Sequence, residues 1–205
     1  MKKTLICSIP MRDKIDKVVY SSEDPSLPAS LDTFYYPINS FLSETLSPDD
    51  SITAILIEKQ GKYSCCKKNS EIFCNELNEI CAELGVAVSY EIVNTEFVQK
   101  KRVHELLMKD IVDHIQDGST IIADVTFGPK DVPIVVFAAM EFAESQLHCE
   151  VANILYGQAD FIDGSAMNTK LCDMIPLYCL NSAASTIKCN NPSKARQMLG
   201  TLLSL

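Results

Sequence analysis

Two short segments of the chain combine hydroxyl, cationic and backbone groups in a way that suits an anionic ligand. Residues 8–13, SerIleProMetArgAsp, place a hydroxyl and a guanidinium directly after an apolar run. Residues 124–133 place an acid and a hydroxyl before Gly128, Lys130 and the start of an apolar helical pattern. A helix N-terminus offers free N–H groups, and glycine lets the backbone approach a ligand closely. The second segment therefore has the parts of an oligoanion site.

The same residues also have a purely structural interpretation. Asp124 or Asp131 would cap the helix that follows, and Lys130 would be solvated. The usual nucleotide-binding fingerprints are absent from the sequence, because no GxGxxG turn follows the first predicted strand and no GxxxxGK[ST] occurs anywhere. A nucleotide that binds here is held in a different way, and both interpretations stay open on these residues alone.

The nine cysteines and three histidines form no recognisable metal or nucleophile motif. Cys65 and Cys66 are adjacent, and Cys74 and Cys81 are seven residues apart, but no paired CxxC spacing is present. We therefore expect packing thiols, with no metal and no cofactor. The odd number of cysteines, several of them inside apolar runs, fits the reduced thiols of a cytoplasmic protein.

The elements that position the two segments alternate between short β-branched runs and longer helical patterns. This order predicts an α/β fold, a Rossmann-like and mostly parallel sheet with helices on both faces, as a single domain over residues 1–205. Ligands of such sheets bind beyond the carboxyl ends of the strands, where both segments lie. Strands are predicted at residues 4–9, 51–57, 86–93, 120–125, 150–156 and 174–180, and helices at 31–46, 70–84 (between a Ser70 cap and a Gly85 stop), 96–116, 132–146 and about 191–205.

Composition and charge limit the classes of function. The 205 residues are 47% hydrophobic and 22% charged, which is typical of a globular protein with a packed core. The formal net charge of −9 argues against binding to a DNA duplex, which needs a basic face. No apolar run approaches the roughly 18 residues of a membrane span, and the first apolar run is too short for a signal peptide. We therefore expect a cytoplasmic protein with no membrane span.

A longer stretch of sequence resembles a known family. AlaAspValThrPheGlyProLysAspValPro at residues 123–133 leads into an apolar helical pattern and then to ValAlaAsnIleLeuTyrGly at residues 151–157. Together these segments resemble the CARF (CRISPR-associated Rossmann fold) domains of type III CRISPR-associated proteins, in particular the TM1812-like branch. In that branch a strand ends in an Asp-x-Thr-x-Gly loop and a later strand ends in Tyr-Gly. The resemblance covers most of the chain.

The resemblance implies a function in antiviral defence. Such domains are homodimers that bind a cyclic oligoadenylate, made by a type III CRISPR complex, across the two-fold axis. A ring of four adenylates, or of six, is then the expected ligand, and an effector module or a partner protein would receive the signal. The ligand contacts that the resemblance transfers are Ser8, Ile9, Pro10, Met11 and Arg12 in the first loop and Thr126, Phe127, Gly128, Pro129 and Lys130 in the second, with Asn94, Thr95 and Gln158 as further candidates.

Two other functions remain open at the level of the sequence. Some similar domains are ring nucleases, which cleave the ring without metal by holding a ribose hydroxyl in line with its phosphate; the residues for that role would be Ser8, Arg12, Thr126 and Lys130. The other alternative is a dimeric interaction protein that binds no small ligand and associates through the apolar helix that begins at residue 132.

Overall fold

A six-stranded sheet organises the first 173 residues. The computed structural model describes residues 1–62 and 64–203, which divide into two compact units, Met1–Asp173 and Met174–Leu205. The strands of the first unit, in chain order, are β1 (Lys2–Ser8), β2 (Val18–Val19), β3 (Thr33–Phe34), β4 (Ser51–Gln60), β5 (Ala87–Glu96), β6 (Thr120–Asp124), β7 (Glu150–Ile162) and β8 (Ser165–Asp173).

The large sheet has the strand order β5-β4-β1-β6-β7-β8. Neighbouring strands from β5 to β7 are parallel, and β8 alone in this sheet is antiparallel to its neighbour. The short strands β2 and β3 form a separate antiparallel pair. The predicted α/β class with a mostly parallel sheet is confirmed.

Four helices of this unit flank the sheet: α1 (Pro37–Thr45), α2 (Cys66–Leu84), α3 (Lys101–His114) and α4 (Asp131–Gln146). The chain runs outward from β1 to β5 and then returns to β6 and β7, and crossovers between parallel strands are right-handed. Helices α1 and α2 consequently lie on one face and pack together, and α3 and α4 pack together on the other. No helix in the described part of the chain is long and apolar enough to cross a bilayer.

The larger core lies between the sheet and the pair α1 and α2. Leu5 and Leu56 extend from the central strands into it, and Leu42, Phe73 and Leu77 enter from the helices; each of these side chains is fully buried. The ring of Phe73 meets that of Tyr36 edge-on at 4.9 Å. Burial of strands on both faces explains why the central strands are continuous apolar runs.

Residues 174–180 are wrongly predicted as a strand. They begin the second unit as part of α5 (Ile175–Thr186), which is followed by α6 (Pro192–Leu203). A short run of apolar residues fits a buried strand or a helix equally well by pattern alone, and Pro176 in the first turn suits the helix. The closing helix predicted at about 191–205 corresponds to α6, and residues 204 and 205 of that prediction lie outside the described residues.

Several other predicted boundaries move. Helix α1 begins at Pro37 rather than residue 31, since β3 precedes it and proline suits the first helical position. Helix α2 begins one turn before Ser70, with Cys65 at its N-cap, and its end before Gly85 is confirmed. Helix α3 begins at Lys101 because the preceding strand runs on to Glu96.

Truncating Phe73 tests the importance of this core. Phe73→Ala removes a fully buried ring and should lower the free energy of unfolding by about 3–5 kcal/mol. The matched control is Glu71→Ala on the exposed face of the same helix, expected within about 0.5 kcal/mol of the wild type. Chemical denaturation measures both, and equal stabilities of the two variants would contradict this account of the core.

Candidate functional site

The two segments singled out by sequence lie side by side at the carboxyl edge of the sheet. Strands β1 and β6 are parallel neighbours, with Cys7 paired to Asp124, so the loops that follow them leave the sheet together. A cleft of about 460 Å³ opens between these loops. Seven of the predicted contact residues line it: Pro10, Met11, Arg12, Thr126, Phe127, Gly128 and Pro129.

A β-hairpin formed by β7 and β8 supplies the opposite wall of the cleft. It contributes Tyr156, Gly157, Ala159, Phe161 and Ala166, none of which the sequence identified as a contact. The hairpin turns through Asp163 and Gly164, both with positive φ, between the paired residues Ile162 and Ser165. An Asp-Gly pair between two strands is the usual signature of a two-residue hairpin, so this signal was present in the sequence.

A third of the residues that line the cleft are aromatic. Six are present, from five different parts of the chain: Tyr20, Tyr35, Phe97, Phe127, Tyr156 and Phe161. Arg12 is the only cation among the described residues that line the cleft. Its guanidinium carbon lies 5.3 Å from the ring centroid of Phe161 and 5.9 Å from that of Phe127, within the range of cation–π attraction. The cleft thus pairs flat apolar surfaces with one positive charge, from Arg12, and one acidic side chain, Asp16.

Helix α2 holds the first loop in place. Asn69 is fully buried, and its side-chain amide donates to the carbonyl of Pro10 at 2.7 Å and to that of Arg12 at 2.9 Å. The backbone N–H of Cys65 donates to the carbonyl of Met11 at 2.9 Å. Nothing in the sequence marks Asn69, because a single amide inside a helical pattern carries no spacing signal.

Asp124 and Thr126 fix the second loop. One carboxylate oxygen of Asp124 accepts from the backbone N–H of Thr126 at 2.8 Å, and the other accepts from that of Ile38 at 3.4 Å. The Thr126 hydroxyl oxygen accepts from the backbone N–H of Gly157 at 2.7 Å. The loop is therefore tied to α1 and to β7.

The prediction that Asp124 or Asp131 caps helix α4 is wrong. The N-cap is Lys130, and its side chain makes no capping hydrogen bond. Asp131 lies in the first turn instead, where it pairs with the buried Lys59 at 2.9 Å and lies 3.2 Å from the Nε2 atom of His104. Lys130 is exposed, as the structural interpretation expects.

Gly128 is required where the second loop crosses the end of β1. Its φ is +93°, and a Cβ built there would lie 2.2 Å from the hydroxyl oxygen of Ser8. Ser8 is buried behind this glycine, and its hydroxyl has no hydrogen-bond partner within the described residues. Ser8 consequently adjoins the loop without lining the cleft.

The remaining predicted contacts also lie outside the residues that line the cleft. Ile9 is fully buried in the core, and Thr95 is buried near the end of β5. Asn94 accepts a hydrogen bond from the Gln60 amide. Gln158, on the hairpin, is exposed and accepts from the thiol of Cys172. Across the described residues, no three His, Cys, Asp or Glu side chains are grouped as metal ligands.

Burial makes Asp124 a weak acid. The side chain is almost wholly excluded from water, which raises the pKa of its carboxyl to about 6, while its N–H donors act in the opposite direction. Asp16, which also lines the cleft, has its pKa held below the usual value by the backbone N–H of Ala166 and by Lys14.

The titration of Asp124 gives a pH-dependent prediction. Because its folded pKa is raised, the folded state binds the proton more tightly than the unfolded state, so stability falls as the pH rises from about 4 to 6. Asp124→Asn removes this loss, which is about 3 kcal/mol for a shift of this size. The variant's stability relative to wild type should therefore improve from pH 4 to 7 in chemical denaturation. A constant difference across that range would refute the assignment.

A second prediction concerns the contact of Gly128 with Ser8. Gly128→Ala should lower the free energy of unfolding by about 2 kcal/mol, because it adds a clash to an unfavourable φ. In a Ser8→Ala background the hydroxyl is gone, so the same substitution should cost less. Chemical denaturation of the wild type, both single variants and the double variant measures the free energy of unfolding of each. If Gly128→Ala lowers it equally in both backgrounds, the proposed clash with the Ser8 hydroxyl is disproved.

Comparison with known proteins assigns no family to the chain. No protein-family model and no curated protein matches it. We therefore infer function from the geometry of the cleft and from the sequence motif beside it.

Proposed function

We propose that this chain is a sensor of cyclic oligoadenylate in type III CRISPR antiviral defence. The observation that carries the proposal is the cleft at the carboxyl ends of β1 and β6, which brings Arg12 and six aromatic rings together beside the AspValThrPheGly motif. A ring of four adenylates is the proposed ligand, with six adenylates as the alternative. The ligand would be held without metal or cofactor.

The chemistry of the cleft suits both parts of a nucleotide. Adenine presents a flat face that stacks on aromatic side chains. Phosphates need donors, and the guanidinium of Arg12 supplies the charged one among the residues that line the cleft.

A homodimer is part of the proposal. A cyclic oligoadenylate is symmetric, so one cleft used twice across a two-fold axis contacts repeating units of the ring. Helix α4 begins at the edge of the cleft and carries Ile134 and Phe142, which are 71% and 41% exposed. Apolar side chains on that surface favour burial against another protein chain.

Binding is favoured over cleavage by the placement of the four residues considered for a ring nuclease. Arg12 and Thr126 line the cleft, whereas Ser8 lies behind Gly128 and Lys130 lies outside the lining residues. The Thr126 hydroxyl already accepts a backbone hydrogen bond. An interaction protein without a ligand is less well supported, since it gives the aromatic cleft no role.

Calorimetric titration with cyclic tri-, tetra- and hexaadenylate tests the proposal. We expect saturation by cyclic tetraadenylate at one ring per two chains, with the ligand recovered intact by mass spectrometry. Recovery of linear adenylates would make the protein a nuclease, and no binding of any ring would overturn the proposal.

Removing the cation of the cleft provides a sharper test. Arg12→Ala should weaken binding of the ring about 10- to 100-fold, because a charged hydrogen bond to phosphate is lost. The matched control is Lys67→Ala, which removes one exposed cation from α2, away from the cleft lining. Its affinity should equal that of the wild type. If both variants lose the same affinity for the ring, Arg12 contributes only to the overall charge of the protein and does not contact a phosphate.

A further inference from the structure

The exposed ring of Phe161 on the β7–β8 hairpin needs an explanation. This side chain is 58% exposed, yet it lines the cleft across from the two loops. Exposing a ring to water forfeits the favourable free energy of burying it, so its exposure favours a role in binding over a role in stability.

Phe161 and Phe127 share one flat partner. The guanidinium of Arg12 lies within 6 Å of both ring centroids, at 5.3 and 5.9 Å. A guanidinium is planar and stacks on aromatic faces much as a nucleobase does. Arg12 therefore already places a flat group within reach of both rings.

Small residues line the hairpin side of the cleft. Gly157, Ala159 and Ala166 line the same part of the hairpin, and none has a side chain larger than a methyl group. Ala159 and Ala166 add little bulk to a cleft of about 460 Å³, whereas a Cβ at Gly157 would meet Pro37, which does not line the cleft.

The hairpin is fixed to the loop that carries Arg12. The Asp16 carboxylate accepts from the backbone N–H of Ala166 at 3.0 Å, and Ser21 and Thr169 are joined through a backbone hydrogen bond of 3.0 Å. These contacts hold β8 against the segment that follows Arg12, so the position of Phe161 relative to the first loop is defined.

We propose that Phe127 and Phe161 form a slot for one purine base of the ring, and that Arg12 occupies this slot only until the ligand arrives. The inference rests on the proposed function and adds a specificity-determining residue to it. On binding, the base takes the place of the guanidinium between the rings, and Arg12 turns outward to a phosphate. The hairpin is thereby part of the binding site.

The test is titration of Phe161 variants with cyclic tetraadenylate. Phe161→Leu keeps an apolar side chain but loses the stacking face, so its affinity should fall about tenfold. Phe161→Tyr retains the face and should bind as the wild type does. The matched control is Ile162→Ala, the next residue of β7, which is 56% exposed and does not line the cleft; its affinity should be unchanged.

A spectroscopic measurement separates stacking from general packing. In a ring with one adenine replaced by 2-aminopurine, fluorescence should be quenched on binding to the wild type and less quenched with Phe161→Leu. If Phe161→Leu binds the ring as tightly as the wild type and quenches its fluorescence equally, the two rings do not form a base-binding slot, and the proposed sensor function is unaffected. If the wild type binds no ring, the proposed function and the slot both fail.

Discussion

The buried carboxylate of Asp124 is the constraint on which the geometry of the cleft depends. It lies at the end of a central strand and accepts backbone N–H groups from its own loop and from the start of α1. A carboxylate excluded from water is stable only with such donors, so the loop must bend back toward it. That bend leaves the Thr126 hydroxyl oxygen to receive the N–H of Gly157, which joins the loop to the strand that carries the hairpin.

The first loop depends on a different and equally buried group. The amide of Asn69 holds the carbonyls of Pro10 and Arg12, and the first of these bonds is buried while the second is partly buried. Since these contacts are to backbone atoms, they fix the path of the loop whatever its side chains are. The Arg12 side chain is then free to serve the cleft while the backbone beneath it is held.

The sequence predicted the parallel part of the sheet well, because strands buried on both faces must be nearly continuous β-branched or apolar runs. It also located both loops, since carboxyl ends of neighbouring parallel strands share an edge. It missed β8 because an exposed edge strand such as residues 165–173 has mixed polarity and little pattern. It missed Asn69 and Phe161 because their roles depend on distances between segments far apart in the chain, which no local spacing encodes.

The length of the hairpin has a mechanical consequence. From Gly157 to Ile162, β7 continues past the end of its parallel neighbour, since its pairing with β6 ends at Leu155. At about 3.3 Å per residue this is an arm of roughly 20 Å, anchored where Gly157 meets Thr126. The arm is also held near its tip, because the Asp16 carboxylate accepts the N–H of Ala166, which pairs with Phe161. The hairpin is thereby braced at both ends, so the wall of the cleft that it forms is supported by both loops and not by the sheet alone.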